Sequence, residues 1–154
     1  MKKLALATAL ALSATLINAA PISTTVSASA NGYNGNLARL NDGIFPAELS
    51  AWTANTTASW KGLGKAFTFA FDDLYRVEDI RLSVDNNDSY ALDYSTDNQS
   101  WTSLFTILPS YGEIGWGMDT MSSVLGDAEY VSQIDFSPVV ARYVRIQATG
   151  GDNS

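Results

Sequence analysis

Ala66-Phe67-Thr68-Phe69-Ala70-Phe71 alternates a large aromatic ring with a small or polar side chain at every step. A period of two marks a half-buried β-strand, because successive side chains leave the backbone on opposite faces. Ile80, Leu82 and Val84 repeat the alternation after the polar segment Asp72-Asp73-Leu74-Tyr75-Arg76, so two strands of antiparallel sheet are predicted here. Asp85-Asn86-Asn87-Asp88 is a dense turn signal, after which Tyr90, Leu92 and Tyr94 alternate again. A turn around Asp97-Asn98 then predicts a hairpin into the segment from Trp101 to Leu108. Residues 109–127 carry Gly112, Gly115, Gly117 and Gly126 with few periodic apolar positions, and read as a long excursion. Strands are expected again over 130–136 and 142–148. One helical turn is expected over 45–49, after Pro46, and no amphipathic helix elsewhere. Many short strands without helices predict an all-β fold, an antiparallel β-sandwich or jelly roll.

The N-terminus has a different character. Lys2 and Lys3 precede an apolar run from Leu4 to Ile17, and the small residues Ala19 and Ala20 follow. That order is the one of a cleavable secretory signal. The run falls short of the ~20 apolar residues that span a bilayer, and Pro21 would end a helix there. The sequence therefore divides into a signal peptide over 1–19, a flexible leader over 20–30 and a domain over 31–154, and the protein is expected to be exported. Cleavage after Ala19 is favoured, because cleavage after Ala20 would put Pro21 first.

The chain has 16 acidic and 9 basic residues, a formal charge of −7, no Cys and no His. Nucleic acid is not an expected partner, since phosphate binding requires clustered Lys and Arg. Without Cys, an exported fold is held by its core alone or with help from a metal ion. Without His or Cys, zinc sites, haem ligation and thiol catalysis are excluded.

Three local patterns point to a family. The block Tyr90-Ala91-Leu92-Asp93-Tyr94-Ser95-Thr96-Asp97-Asn98-Gln99-Ser100-Trp101 resembles the strand, turn and tryptophan of discoidin domains, also called coagulation-factor type C domains, of the galactose-binding-like superfamily. Ala141-Arg142-Tyr143-Val144-Arg145-Ile146 is similar to the family's penultimate strand, and Leu40-Asn41-Asp42-Gly43 with Ser50-Ala51-Trp52 to its opening loop. The resemblance covers about residues 31–154 and extends to family 32 carbohydrate-binding modules. It implies a discoidin-like jelly roll and a final strand, usually carrying a glutamate, that would follow beyond Ser154.

The resemblance also implies a structural calcium ion in the opening loop, with Asp42 and Ser50 among its ligands. Loop oxygens of this kind suit a hard cation that takes six to eight of them. Read as residues alone, Asp42-Gly43 is also an ordinary turn pair. Trp52, Trp60 and Trp101 offer flat faces on which sugars stack, although Trp52 and Trp101 occupy core-like positions in the family and are expected to be buried. Tyr111 and Trp116 fall in the glycine-rich excursion, where no strand period turns them inward, and are the aromatic candidates for ligand binding. Glu113 and Asp119 nearby could accept hydrogen bonds from hydroxyls, or be solvated loop charges, and Arg76 could donate them or pair with Asp72 or Asp73. The acidic pairs Asp72-Asp73 and Glu78-Asp79 invite a glycosidase reading, but adjacent strand residues point to opposite faces and do not converge on one substrate atom.

The function expected from the sequence is a non-catalytic binding module for a carbohydrate or extracellular polymer, using loops at one end of the sandwich. The alternative is an adhesive surface or matrix protein whose anchor or sorting tail would lie further along the chain. A glycoside hydrolase is the third reading.

Overall fold

The two alternating runs predicted as separate strands are one strand. The computed structural model describes residues 23–151 and the backbone of 2–6, and in it β5 runs unbroken from Ala66 to Asp85. The other strands are β1 (Lys2–Leu6), β2 (Thr24–Ala28), β3 (Asn34–Gly35), β4 (Ala58–Ser59), β6 (Ser89–Ser95), β7 (Thr102–Ile107), β8 (Met118–Ser122) and β9 (Val139–Gly150). Phe67, Phe69, Phe71, Tyr75 and Val77 are buried at odd positions of β5, whereas Ile80, Leu82 and Val84 are buried at even ones. A change of parity needs one extra residue, and the register against β1 slips there, from Leu4 opposite Val77 to Ala5 opposite Asp79. This β-bulge at Glu78 keeps apolar side chains facing the core while the strand bends and changes partners. Asp72, Asp73 and Leu74 swing outward at a second irregularity, where Tyr75 donates a 2.6 Å hydrogen bond to Asp72.

β5 is the hub of the larger sheet, pairing with β1, β2, β8 and β9. The strand order is β1-β5-β9-β6-β7, with β2 pairing the start of β5, β8 pairing its end, and β3 and β4 forming a separate ribbon. All pairings among β2 to β9 are antiparallel, and only β1 runs parallel to its neighbour. The fold is an antiparallel β-sandwich. Its core joins the β5 side chains to Leu92 of β6, Phe105 and Ile107 of β7, Met121 of β8 and Val144 of β9. Each such side chain contributes about 1.5–3 kcal/mol of burial.

Four expectations need correction. Thr24–Ala28 lies within the stretch read as a flexible leader, yet it pairs with Phe67–Phe71 as β2. The excursion over 109–127 contains β8, all five residues of which are buried, so it shows no alternation of apolar with exposed positions. The strand expected over 130–136 is instead a 3-10 helix, Ser132–Ile134, whose neighbour Val131 and last residue Ile134 are buried at a spacing of three. No helix forms over 45–49. The other 3-10 helix lies at Leu37–Leu40, where Asn36 caps it by accepting a bond from the Ala38 amide. Of the signal reading, Lys2–Leu6 pair with β5 as β1, whereas the apolar run from residue 7 onward and the cleavage site, like the chain end at 152–154, fall outside the described residues.

The predicted hairpin between β6 and β7 forms, and side-chain oxygens close its turn. Ser95 Oγ accepts from the amides of Asp97 and Asn98, and Asp97 Oδ1 accepts from those of Gln99 and Ser100 at 2.8 Å. Asn98 takes the left-handed conformation, φ 62°, that Asn tolerates better than most residues. The Ser100 and Gln99 amides, with the Ser95 hydroxyl, hold the Asp97 carboxyl down to about 2, against an ordinary value of 3.8. A depressed folded value favours the folded state above about pH 4 and loses that contribution as pH falls through about 2. Asp97→Asn is therefore expected to lower Tm at pH 7, with the gap to the wild-type closing between about pH 4 and pH 2 in thermal melts.

Candidate functional site

Strand ends converge on one side of the sandwich. β5 ends at Asp85, opposite Met118 at the start of β8; β6 begins at Ser89, opposite Gly150 at the end of β9; and Tyr90 lies opposite Ile107 at the end of β7. The turn over 85–88 and the loop over 108–117 therefore share this end. Two bonds hold them together: the Asn86 amide donates to the Gly117 carbonyl at 2.9 Å, and Asn86 Nδ2 donates to the Ile114 carbonyl.

A cleft of about 140 Å³ opens at this end. Trp52, Trp60, Phe67, Val84 and Tyr90 supply its apolar wall, and Lys61, Lys65, Asp88 and Gln147 stand among its polar residues. Trp60 is fixed by its neighbours, with its ring stacked on Phe67 at 4.2 Å between centroids and met at right angles by Tyr33 at 6.0 Å. Trp60 Nε1 and Ser83 Oγ are buried without hydrogen-bond partners, and both residues line the cleft. Burial, with Asp88 and Asp85 beside it, pushes the Tyr90 phenol far up, so it remains a neutral donor. A few unpaired polar groups in an aromatic cleft are what a small polar ligand with apolar faces requires.

The tryptophans expected in the core are elsewhere. Trp52 is half-buried in the cleft wall, and Trp101, also half-buried, lies under the Arg145 guanidinium at 4.3 Å. Arg145 in turn pairs with Asp93 at 2.9 Å, so Trp101 braces the surface of β6 and β9 rather than filling the sandwich.

The four candidate ligand residues separate. Trp116 is 61% exposed at the convergent end, and Tyr111, on the same loop, is half-buried against the core. Glu113 is exposed between them. Arg76 lies opposite Val140, near the start of β9 and towards the other end, where it pairs with Glu78.

Glu113 belongs to a group of acids that its place in the sequence did not disclose. Carboxylate oxygens of Glu48, Glu113 and Glu129 lie within 4.8 Å of one another. Asp119 of β8 stands beside them with 0% exposure. Amides of Ile114 and Thr120 approach Asp119 and favour its charge, but neither closes a hydrogen bond of ordinary geometry, so both carboxylate oxygens lack partners. Burial, then the charge on Glu48, pushes Asp119 up to about 6; burial, then Asp119, pushes Glu113 up to about 7. Glu113 and Asp119 stand out together in the sequence, whereas Glu48, from the opening loop, and Glu129, from the turn after β8, are brought to them only by the fold.

The profile of the family described as the F5/8 type C domain matches residues 23–154, a span that contains β2 to β9. The chain belongs to the F5/8 type C family. Among solved structures this F5/8 type C domain is similar to a pectin-binding carbohydrate-binding module at 18% identity, covering 87% of this chain and 83% of that one, with a TM-score of 0.49. It is similar to a truncated AlyQ carrying CBM32 and alginate lyase domains at 21% identity, over 84% of this chain and 28% of the other, with a TM-score of 0.47. A third is CBM32-3 from a family 31 glycoside hydrolase of Clostridium perfringens, at 19% identity, over 61% and 60% of the two chains, with a TM-score of 0.32. No curated protein matches it.

The calcium ligands implied by the family resemblance fit the F5/8 type C domain only in part. Asp42 Oδ1 accepts from the Ile44 amide at 3.0 Å, and Oδ2 pairs with Arg39 at 3.3 Å, so a cation there would have to displace a guanidinium. Ser50 Oγ is buried without a partner, as an available oxygen ligand would be. Its backbone joins the opening loop to β8: the Leu49 amide donates to the Met118 carbonyl at 3.0 Å, and the Met118 amide to the Ser50 carbonyl at 2.9 Å. Leu49 holds φ 60° to make this junction, a strained value for a non-glycine residue. Gly117 holds φ 76° against it, where an added Cβ would come within 2.9 Å of the Ser50 carbonyl oxygen. Gly117→Ala is expected to cost about 1–3 kcal/mol, read as a lower midpoint in urea denaturation with unchanged m.

Proposed function

We propose that this domain is an exported, non-catalytic module that binds carbohydrate in the cleft bounded by Trp52 and Trp60. The observation that carries the reading is the braced Trp60 ring beside unpaired buried donors and acceptors at the convergent end of the sandwich. Sugars present apolar C–H faces and hydroxyls together, and the cleft offers an aromatic wall with Asp88, Lys61 and Gln147 for those hydroxyls. Trp116 and Glu113, exposed on the loop at the same end, extend the surface a longer glycan would follow. Family membership supports the reading, since the jelly roll leaves such loops free to bind. A single shallow site of this kind binds weakly.

Binding rather than cleavage is favoured by the state of the acids. Asp72 accepts from Tyr75, Glu78 pairs with Arg76, and Asp79 accepts from Ser123 Oγ at 3.3 Å.

Among the described residues no helix is long and apolar enough to cross a membrane. Export follows the Lys2-Lys3 and apolar pattern of the N-terminus, and N-terminal sequencing of protein recovered outside the cell is expected to begin at Ala20.

Affinity electrophoresis against a panel of neutral and acidic polysaccharides tests the binding. Retardation by at least one polymer is expected, with a loss of about tenfold or more in affinity in Trp52→Ala and Trp60→Ala. Trp60→Phe, which keeps the stack on Phe67, separates lost contact from lost folding. No retardation by any polymer, or a loss confined to Trp116→Ala, would sink the cleft as the site.

A further inference from the structure

We infer that the cleft selects an anionic glycan, with Lys61 and Lys65 seating a uronate carboxylate or a sulfate ester of the sugar; the inference rests on the carbohydrate reading of that cleft. Both lysines belong to the loop that joins β4 to β5, the same loop that sets Trp60 in the cleft wall. Gly62 and Gly64 of this loop hold φ 86° and 73°, and a Cβ on either would meet nothing within 4 Å, so the space around the loop is open. Lys61 is exposed and Lys65 half-buried. Lys65 Nζ donates to the Lys61 carbonyl at 2.8 Å, which fixes one ammonium at the lip and leaves two of its three donors for a ligand.

The distribution of charge is the independent observation. On a chain of formal charge −7, cations are scarce, and most are engaged elsewhere. Among the described residues Arg39, Arg76, Arg81 and Arg145 are each ion-paired, and Arg142 lies against the ring of Tyr143. Lys61 and Lys65 are the described cations with neither an acid nor a ring, and both line the one cleft. An anion at this lip relieves the repulsion of two like charges on a short loop and gains charge-assisted hydrogen bonds, roughly twice as strong as neutral ones.

The acids of the cleft stand apart from the lysines. Lys65 precedes Ala66, which lies opposite Gln147, whereas Asp88 precedes Ser89, opposite Gly150. The stretch of β9 between those partners separates the two ends by about 10 Å at the rise of a strand. Asp85 is buried, and Asp88 is half-buried beside Tyr90. The anionic group of a glycan is thereby directed to Lys61 and Lys65, and its hydroxyls to Asp88. A neutral sugar would leave both ammonium groups unmatched.

Calorimetry on the purified protein tests this with two matched pairs of polymers, polygalacturonate against its carboxyl-reduced form and a sulfated galactan against its desulfated form. At least one charged polymer is expected to bind about tenfold or more tighter than its neutral counterpart, and the pair that shows this identifies the group as carboxylate or sulfate. Raising NaCl from about 50 to 500 mM is expected to shrink the preference, because the lip is open to solvent. In the double variant Lys61→Gln, Lys65→Gln the ratio of charged to neutral affinity is expected to fall to about one, whereas Lys61→Arg, Lys65→Arg keeps both charges and retains it. Thermal melts check that each variant is folded. The inference is overturned if neither charged polymer is preferred, or if the double glutamine variant keeps the preference. If the neutral polymers bind as tightly and still require Trp52 and Trp60, the carbohydrate reading of the cleft stands and only this inference falls; if no polymer binds, both fall.

Discussion

The bulge in β5 governs the rest of the architecture. A strand that pairs with β2 and β9 along its first part and with β8 along its last must turn without exposing its apolar face. Side chains alternate with a period of two, so one inserted residue reverses which positions face inward. The extra residue at Glu78 moves the buried set from Val77 to Ile80 and lets a single strand pair with β2 and β9 before it and with β8 after it. Without it, either Phe67, Phe69 and Phe71 or Ile80, Leu82 and Val84 would face water.

Bringing β8 against the end of β5 has a chemical consequence. Asp119, Thr120, Ser122 and Ser123 are buried with it, giving the sandwich a polar interior seam beside an apolar core. Ser123 Oγ accepts from the Ile80 amide at 2.9 Å, which satisfies part of that seam. Asp119 is its unsatisfied part, and it lies where the opening loop, the glycine-rich loop and Glu129 meet. The same placement sets the cleft beside these loops, because the turn over 85–88 and the end of β9 form one rim. The position of the cleft and the junction of these loops are thus two results of one strand pairing.

How far the sequence could be read followed the physics of each segment. Alternation exposed the half-buried strands around Phe69, Leu82 and Leu92, since one face of each meets the core and the other meets polar surroundings. It could not expose β8, in which both faces are buried and polar residues occupy inward positions. Val131 and Ile134 were apolar enough to suggest a strand, but their spacing of three belongs to a 3-10 turn. Trp52 and Trp101 show the same limit, for a large aromatic ring identifies a contact without identifying its partner: a cleft for one, a guanidinium for the other.

The sequence by itself determined the all-β class, the β6–β7 hairpin and its Asp97 turn, and the acidic, cysteine-free and histidine-free character that excludes several chemistries. These depend on neighbours within a few residues or on composition, and such information is local. Only the tertiary structure decided that two predicted strands are one, that Trp52 and Trp60 share a cleft, and that Glu48, Glu113 and Glu129 meet. Their meeting depends on β8 docking against β5 and drawing loops from remote parts of the chain together. No period or spacing encodes that encounter, because burial on both sides erases the pattern that would announce it.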